Sequence, residues 1–474
     1  MDSKEFRKQA HQMVDWMADY FENITKYPVK STVKPQEVLQ QLPDKAPQEG
    51  ESMDKIFNDF LNIILPGMTH WQHPNFLAYF PANTSYASIL GEMITATLGA
   101  QCMIWDTSPA AAELEQRVTE WLRDAMQLPE YFSGVIQDTA STATLTALIT
   151  AREKFSNFQI NEHGLRNDLL RVYCSEEAHS SVEKAVKIMG LGRQSLVKIK
   201  TDSHLAMSAE SLQLALEEDL KKGYKPFCVV AAIGTTGTTA VDPLQKIAKL
   251  CQSHNIWLHV DAAYAGPLLL LPEFQWMIEG INQVDSLVFN AHKWLFTNFD
   301  CSIYFVKDKD SLIKSFEILP EYLKTNSRGK VNDYRDWGVP LGRRFRALKL
   351  WFVLRNYGIK GIQQKLREHN RLAGIFAEWI KEAPNFEILA PVNMNLVCFR
   401  YFDIALSAEA VNEANKQLMN KLNQSGEVYL THTKIGNKIA LRACFGQTYL
   451  EKKHVEFCWK SIQSWVQKTK IEQH

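Results

Sequence analysis

The chain carries Ile256-Trp257-Leu258-His259-Val260-Asp261-Ala262-Ala263-Tyr264 and, further on, Ser286-Leu287-Val288-Phe289-Asn290-Ala291-His292-Lys293-Trp294. Each stretch is a short, largely apolar run closed by a chemically capable side chain. Continuous apolar runs of this length read as strands buried on both faces, the condition of a mainly parallel sheet. In an α/β protein the carboxyl ends of neighbouring strands border the crevice where ligands bind. Asp261 and Lys293 both fall at such ends.

The surrounding pattern supports that reading. From about residue 86 to 310, strand and helix signals alternate. The strand candidates are Leu170–Cys174, Cys228–Ile233, Ile256–Val260, Ser286–Phe289 and Ser302–Val306. Ser108-Pro109-Ala110 opens a helix with an N-cap residue and proline at its first position. The expected class is α/β, with helices on both faces of a mainly parallel sheet. Residues 4–22 and Met53–Leu65 show amphipathic helical spacing but have too few apolar groups for a core of their own, so a second subunit is their expected partner. Glu321–Trp337 reads as an exposed, mobile loop. A long helix begins near Gly342, and strands at Leu396–Tyr401 and Lys438–Ala443 mark a smaller α+β domain. The division expected is 1–85 (helical dimerisation segment), 86–355 (large domain) and 356–474 (small domain).

Composition narrows the partner. Lys+Arg and Asp+Glu each total 53, so no global field points to nucleic acid or an anionic membrane, and a small molecule is expected. Apolar residues make up 46% and charged residues 22%, as in ordinary globular proteins. No run reaches the roughly 18 apolar residues of a membrane span, and the polar start has no signal core. The eight cysteines form no Cys-x-x-Cys and read as reduced, buried thiols of a cytoplasmic protein. Motifs for nucleotide hydrolysis, dinucleotide binding, zinc proteolysis and serine esterases are absent, and no metal is expected.

The candidate chemistry rests on few residues. The Lys293 amine can attack an aldehyde, and the Asp261 carboxylate can hold a pyridine nitrogen protonated. Together these are the protein's share of pyridoxal-phosphate chemistry. Ala262 and Ala263 are small enough for backbone to lie against a flat ring. Gln137–Thr144 precedes a helical pattern, and its free N–H groups and hydroxyls suit a phosphate as well as an ordinary N-cap. His179, after a strand, suits either ring stacking and proton transfer or a structural hydrogen bond. Trp71, Phe76, Tyr79 and Phe80, with Pro74 and Pro81, suit either a pocket for an aromatic side chain or core packing.

Taken together, these stretches resemble the pyridoxal-phosphate-dependent group II amino-acid decarboxylases, and most closely the aromatic-L-amino-acid decarboxylases. The matching strings are His70-Trp71 through Pro81, Ser108-Pro109 through Glu113-Leu114-Glu115, Ala178–Glu183 and Gly234-Thr235-Thr236. His259–Gly266, Asn290–Ser302, Asp333-Tyr334-Arg335 and Pro340–Arg346 complete the set. The resemblance runs from about residue 5 to 465. It implies an aspartate-aminotransferase-like fold (fold type I) with a seven-stranded sheet, and a homodimer with active sites at the subunit interface. Lys293 then matches the Schiff-base lysine, Asp261 the pyridine partner, Ala263 the residue under the ring and His179 the stacked histidine. Ala140, Ser141, Asn290 and His292 match phosphate positions, and Thr236 matches a cofactor-site threonine. Tyr334 matches the loop tyrosine that protonates the α-carbon after carbon dioxide leaves. The implied reaction converts an aromatic L-amino acid (tryptophan, phenylalanine, tyrosine or DOPA) to the arylalkylamine; the alternative is an aldehyde synthase. Aldehyde-forming branches tend to replace the tyrosine or the histidine, and this chain keeps both.

The resemblance also places Trp71, Tyr79, Phe80, Pro81, Ala82, Met103 and Gly342 against substrate. Gly342 stands where some histidine- and tyrosine-preferring relatives carry serine, which leaves room for a bulkier ring. Ala82 departs from a threonine usual in the animal enzymes, and Met103 from a phenylalanine. These departures favour tryptophan or phenylalanine over tyrosine and DOPA. Glutamate is disfavoured, because residues 71–81 are aromatic rather than basic.

Overall fold

Seven strands build the sheet that carries Asp261 and Lys293: β1 (Ser133–Gln137), β2 (Leu170–Ser175), β3 (Leu196–Ile199), β4 (Lys225–Ala232), β5 (Trp257–Asp261), β6 (Ser286–Asn290) and β7 (Ser302–Val306). They are seen in a computed structural model that describes residues 1–166, 168–318 and 330–472. The order across the sheet is β1-β7-β6-β5-β4-β2-β3. Neighbours from β6 through β3 pair parallel, whereas β7 runs antiparallel to both β1 and β6. Every residue of β6 and β7 is buried, which explains their unbroken apolar character. The two strands without a strong sequence signal are β1 and β3. In β1, Ser133 and Gly134 precede only two large apolar residues, Val135 and Ile136; β3 is a four-residue edge strand with Lys198 exposed.

Helices cover both faces. Ala140–Phe155 follows β1 and is capped by the Thr139 hydroxyl, which accepts from the Thr142 N–H at 3.4 Å. Pro109 opens the helix Pro109–Ala125 as expected. The Ser108 side chain does not cap it; its hydroxyl is engaged with the Gln101 carbonyl at 3.1 Å. The helical stretch Arg346–Glu382 breaks at Gly358, where φ is +61°. That left-handed geometry is open to glycine without steric cost.

Ala82–Arg371 with Ala390–Leu396 form one compact unit, and Met1–Pro81 with Leu372–Leu389 and Val397–His474 form another. Within the second unit, β8 (Phe386–Ile388), β9 (Leu396–Tyr401), β10 (Thr431–Ile435) and β11 (Lys438–Cys444) make a sheet of order β10-β11-β9-β8. Phe21 of the first amphipathic segment packs on Tyr449 with ring centroids 5.7 Å apart, and its Trp16 meets Phe57 and Phe60 of the second edge-on. Phe6 and Val14 stay exposed.

The expectation of an exposed loop over Glu321–Trp337 needs correction in part. Residues 321–329 lie outside the described residues. Beyond them, Tyr334, Arg335, Asp336 and Trp337 are buried. Hydrogen bonds hold this end: the Arg335 N–H donates to the Met103 carbonyl and the Trp105 N–H to the Asp333 carboxylate, both at 2.9 Å. The Tyr334 and Trp337 rings pack 5.2 Å apart. The polar composition misled because Arg335 and Asp336 pair with each other at 3.4 Å inside the protein.

Candidate active site

Lys293 sits on a one-turn helix, Ala291–Trp294, that begins where β6 ends. Asp261 closes β5, in register with Val288 of β6. Parallel pairing thus brings the two chemically capable ends to one edge of the sheet. The Lys293 turn is gripped by Asn83, whose side-chain amide donates to the Lys293 carbonyl at 2.7 Å and whose backbone N–H donates to the His292 carbonyl at 2.9 Å. The Asp261 carboxylate accepts from the Ala263 N–H at 3.0 Å, and the Ala263 carbonyl accepts from the Asn290 N–H at 3.0 Å. The loop holding the carboxylate and the start of the lysine turn are therefore directly bonded.

His179 shares this electrostatic environment. The surrounding protein lowers the imidazole pKa by desolvation; Lys293 acts in the same sense, and Asp261 opposes both. Its Nδ1 accepts from the Ser181 N–H at 3.1 Å and lies 2.8 Å from the Ser181 hydroxyl. Acceptance at Nδ1 leaves the proton of the neutral ring on Nε2. His179 is exposed, as a residue that stacks on a ligand must be.

A second group of residues can hold an anion. Ala140 and Ser141 begin the sixteen-residue helix Ala140–Phe155, whose first N–H groups have no partner within the helix. The Asn290 side-chain oxygen accepts from the Ala140 N–H at 3.1 Å and the Ser302 hydroxyl at 2.7 Å, which ties that helix start to the end of β6. His292 is buried, and burial, reinforced by Lys293, lowers its pKa to about 3. Its Nδ1 accepts from the Cys301 N–H at 2.9 Å, so the neutral ring carries its proton on Nε2 as a donor. Thr236 lies in the exposed turn after β4.

Tyr334 begins the short helical turn Tyr334–Asp336. Its ring lies under the Arg343 guanidinium at 4.9 Å, and its hydroxyl is 3.4 Å from the Asn332 amide. Burial, reinforced by Glu115, pushes its pKa well above the usual phenol range, and Arg343 pulls the other way. Arg343 is locked by two bonds to Glu115 (2.6 and 3.1 Å) and one to the Ile136 carbonyl at 2.7 Å. Sequence reading assigned no role to Glu115, Arg343 or Asn83; partners separated by about two hundred residues leave no local signal. Gly342 is exposed, and a Cβ there would meet only the Gln101 amide, at 3.3 Å. Met103 and Ala82 are half-buried.

The aromatic candidates lie in the other unit. Trp71 packs on Phe76 at 4.3 Å and on Tyr79 at 6.0 Å, and Tyr429 joins edge-on to Phe76 at 5.4 Å. Phe80 lies 5.6 Å under the Arg442 guanidinium, and Pro81 is buried. Phe76 is the buried core of the cluster, whereas Trp71 and Tyr79 keep exposed faces.

Comparison with known proteins agrees with this geometry. The pyridoxal-dependent decarboxylase conserved domain matches residues 35–402. A phenylacetaldehyde synthase of Arabidopsis thaliana is 44% identical, over 98% of this chain and 96% of its own length. Tyrosine decarboxylase 2 of Narcissus pseudonarcissus is 41% identical, over 98% and 94%. Among solved structures, Oryza sativa TDC with PLP and tryptamine superposes with a TM-score of 0.96 at 34% identity, covering 99% of both chains. The chain belongs to the pyridoxal-dependent decarboxylases, in their group II aromatic amino acid branch. It is a carboxy-lyase of fold type I whose cofactor is pyridoxal 5'-phosphate. The residues present fit that cofactor: an amine just after β6, a carboxylate at the end of β5, an exposed imidazole in the field of both, and a long helix N-terminus bonded to Asn290.

Proposed function

We propose that this enzyme removes the carboxyl group of an aromatic L-amino acid and releases the arylalkylamine. When bound, pyridoxal 5'-phosphate supplies the electron sink for the pair left at the α-carbon. Lys293 would hold the cofactor through its amine. Asp261 would keep a proton on the ring nitrogen, and Ala263 and His179 would line the cofactor. Ala140, Ser141, Thr236, Asn290 and His292 hold the phosphate. Tyr334 delivers the proton to the α-carbon. The observation carrying this reading is the juxtaposition of Asp261 and Lys293 at the ends of paired strands, with the imidazole of His179 responding to both.

Trp71, Tyr79, Phe80, Pro81, Ala82, Met103 and Gly342 are the residues we assign to the substrate's side chain. The lack of a side chain at Gly342 is our reason for favouring tryptophan or phenylalanine over tyrosine and DOPA. The Arabidopsis relative favours a second reading, aldehyde synthesis with oxygen as oxidant. Retention of Tyr334 and His179 supports the amine. We further read the enzyme as a cytoplasmic homodimer, with residues 1–85 as the dimerisation segment, 86–355 as the large domain and 356–474 as the small one. Tyr86, Leu90, Ile94 and Leu98 expose an apolar stripe at four-residue spacing along the helix Tyr86–Leu98, suited to a subunit interface. All eight cysteines are free and buried, which suits a reducing compartment. Among the described residues, no helix is long and apolar enough to cross a membrane.

The test is to incubate cofactor-loaded enzyme with a panel of amino acids and measure carbon dioxide, amine, aldehyde and peroxide together. Amine equal to carbon dioxide from aromatic substrates supports the proposal. Aldehyde with peroxide supports the second reading. No turnover with cofactor bound overturns both.

A further inference from the structure

Trp294, the residue after Lys293, is fully buried. Its indole lies parallel to the Tyr264 ring, with centroids 4.8 Å apart and planes within 5°. Its Nε1–H donates to Nδ1 of buried His369 at 2.9 Å, and that imidazole lies nearly coplanar, at 7°. Tyr264 in turn receives a hydrogen bond at its hydroxyl from the Asn395 amide, at 2.6 Å. Tyr264 is three residues beyond Asp261, and Trp294 is adjacent to Lys293. One stack therefore joins the loop of the carboxylate to the turn of the lysine. Its two ends are fixed by hydrogen bonds, so sliding either ring breaks a bond between buried groups.

We infer that Trp294 and His369 are positioning residues: their hydrogen bond and the stack on Tyr264 hold the Lys293 turn at a set distance from Asp261. The inference rests on the assignment of Lys293 and Asp261 above. A lysine side chain has four rotatable bonds, so the reach of its amine depends on where its backbone is pinned. Asn83 holds the His292 and Lys293 carbonyls, and Trp294 anchors the chain immediately after Lys293. A flat aromatic contact suits the task, because it fixes the separation between the two loops while the hydrogen bond fixes rotation within the plane. Neither residue needs to touch the cofactor.

The test uses Trp294→Phe, which keeps a stacked ring but removes the donor, and the pair His369→Gln and His369→Leu, of which only the first can still accept. The readouts are cofactor dissociation from the holoenzyme, the pH midpoint of the bound cofactor's visible absorbance change, and kcat and KM separately. We expect Trp294→Phe and His369→Leu to lower kcat by about tenfold to a hundredfold, the scale of a misplacement of about 1 Å, with KM changed by less than about threefold. The absorbance midpoint moves and cofactor dissociation quickens, while His369→Gln stays near wild type. If Trp294→Phe fails to fold, the His369 pair carries the test. Wild-type midpoint, dissociation and kcat in both Trp294→Phe and His369→Leu would overturn the inference while leaving the role of Lys293 intact. A Lys293→Ala protein that keeps the wild-type absorbance would instead overturn the assignment beneath it.

Discussion

Replacing Glu115 by Gln should unfold the base of the Tyr334 segment far more readily than a surface change would. The side chains of Glu115 and Arg343 are 3% and 6% exposed. Two hydrogen bonds join them, at 2.6 and 3.1 Å, and Glu115 also accepts from the Ile136 N–H at 2.8 Å. Glutamine keeps the shape but leaves the guanidinium without a counter-charge in a desolvated place. Breaking a buried pair in this way costs about 3–5 kcal/mol. An exposed pair is the internal control. Glu273 and Arg367 make a comparable two-pronged contact, at 2.7 and 3.0 Å, with both side chains nearly half exposed, so Glu273→Gln should cost about 1 kcal/mol or less. Urea unfolding of the apoenzyme, followed by tryptophan fluorescence, compares the two. The double change Glu115→Met with Arg343→Met should be less damaging than either single change, because it removes both charges from the interior. If Glu115→Gln loses no more than Glu273→Gln, the pair is solvated and the reasoning fails.

Tyr334→Phe should lower amine formation by about 10²–10⁴-fold, the usual contribution of a general acid, and raise aldehyde and peroxide; an unchanged amine rate removes Tyr334 from the proton step. Gly342→Ser requires the Gln101 amide, 3.3 Å from the new Cβ, to give slightly, and should shift the phenolic-to-indolic kcat/KM ratio by about tenfold or more. An unchanged ratio places Gly342 away from substrate. His292, with its pKa lowered to about 3, resists protonation when folded, whereas the unfolded residue titrates near 6.5. Its stabilising contribution is full above pH 6.5 and is lost as pH falls toward 3. On lowering the pH to about 5.5, the wild type should lose about 1.4 kcal/mol more than His292→Asn, and equal losses in urea midpoints would contradict the burial argument.

The sheet was readable because its strands are buried on both faces and so show as unbroken apolar runs; the expected Ser302–Val306 is the observed β7 to the residue. Where a strand lies at an edge, as β3 does, or consists largely of small and polar residues, as β1 does, the signal disappears. Asp261 and Lys293 were legible for the same reason, as polar ends to apolar strands. The Tyr334 segment was not, because charge in a sequence reads as exposure. Arg335, Asp336 and Arg343 are buried by partners elsewhere in the chain, and nothing local announces those partners. Asn83 is the sharpest case: its contact with Lys293 spans 210 residues.

The hydrogen bonds around Tyr334 also bear on how substrate choice and proton delivery relate. The Arg343 N–H donates to the Gln101 side chain at 2.7 Å, and the Arg343 carbonyl accepts from the Cys102 N–H at 2.9 Å. The Met103 carbonyl takes the Arg335 N–H, and the Trp105 N–H goes to Asp333. Residues 101–105 and 333–343 are thus stitched together at four points, with Arg343 anchored to Glu115 beneath them. Met103 and Gly342, assigned to the substrate ring, ride on the same body as Tyr334, assigned to the proton. A change that reshapes the ring contact through Met103 therefore strains the carbonyl holding Arg335, next to the proton donor. Contacting positions in one hydrogen-bonded network do not act additively. On the proposed roles of Met103, Gly342 and Tyr334, a change of aromatic substrate through this segment would disturb protonation as well. Relatives of 44% and 41% identity are named for aldehyde synthesis and for decarboxylation respectively.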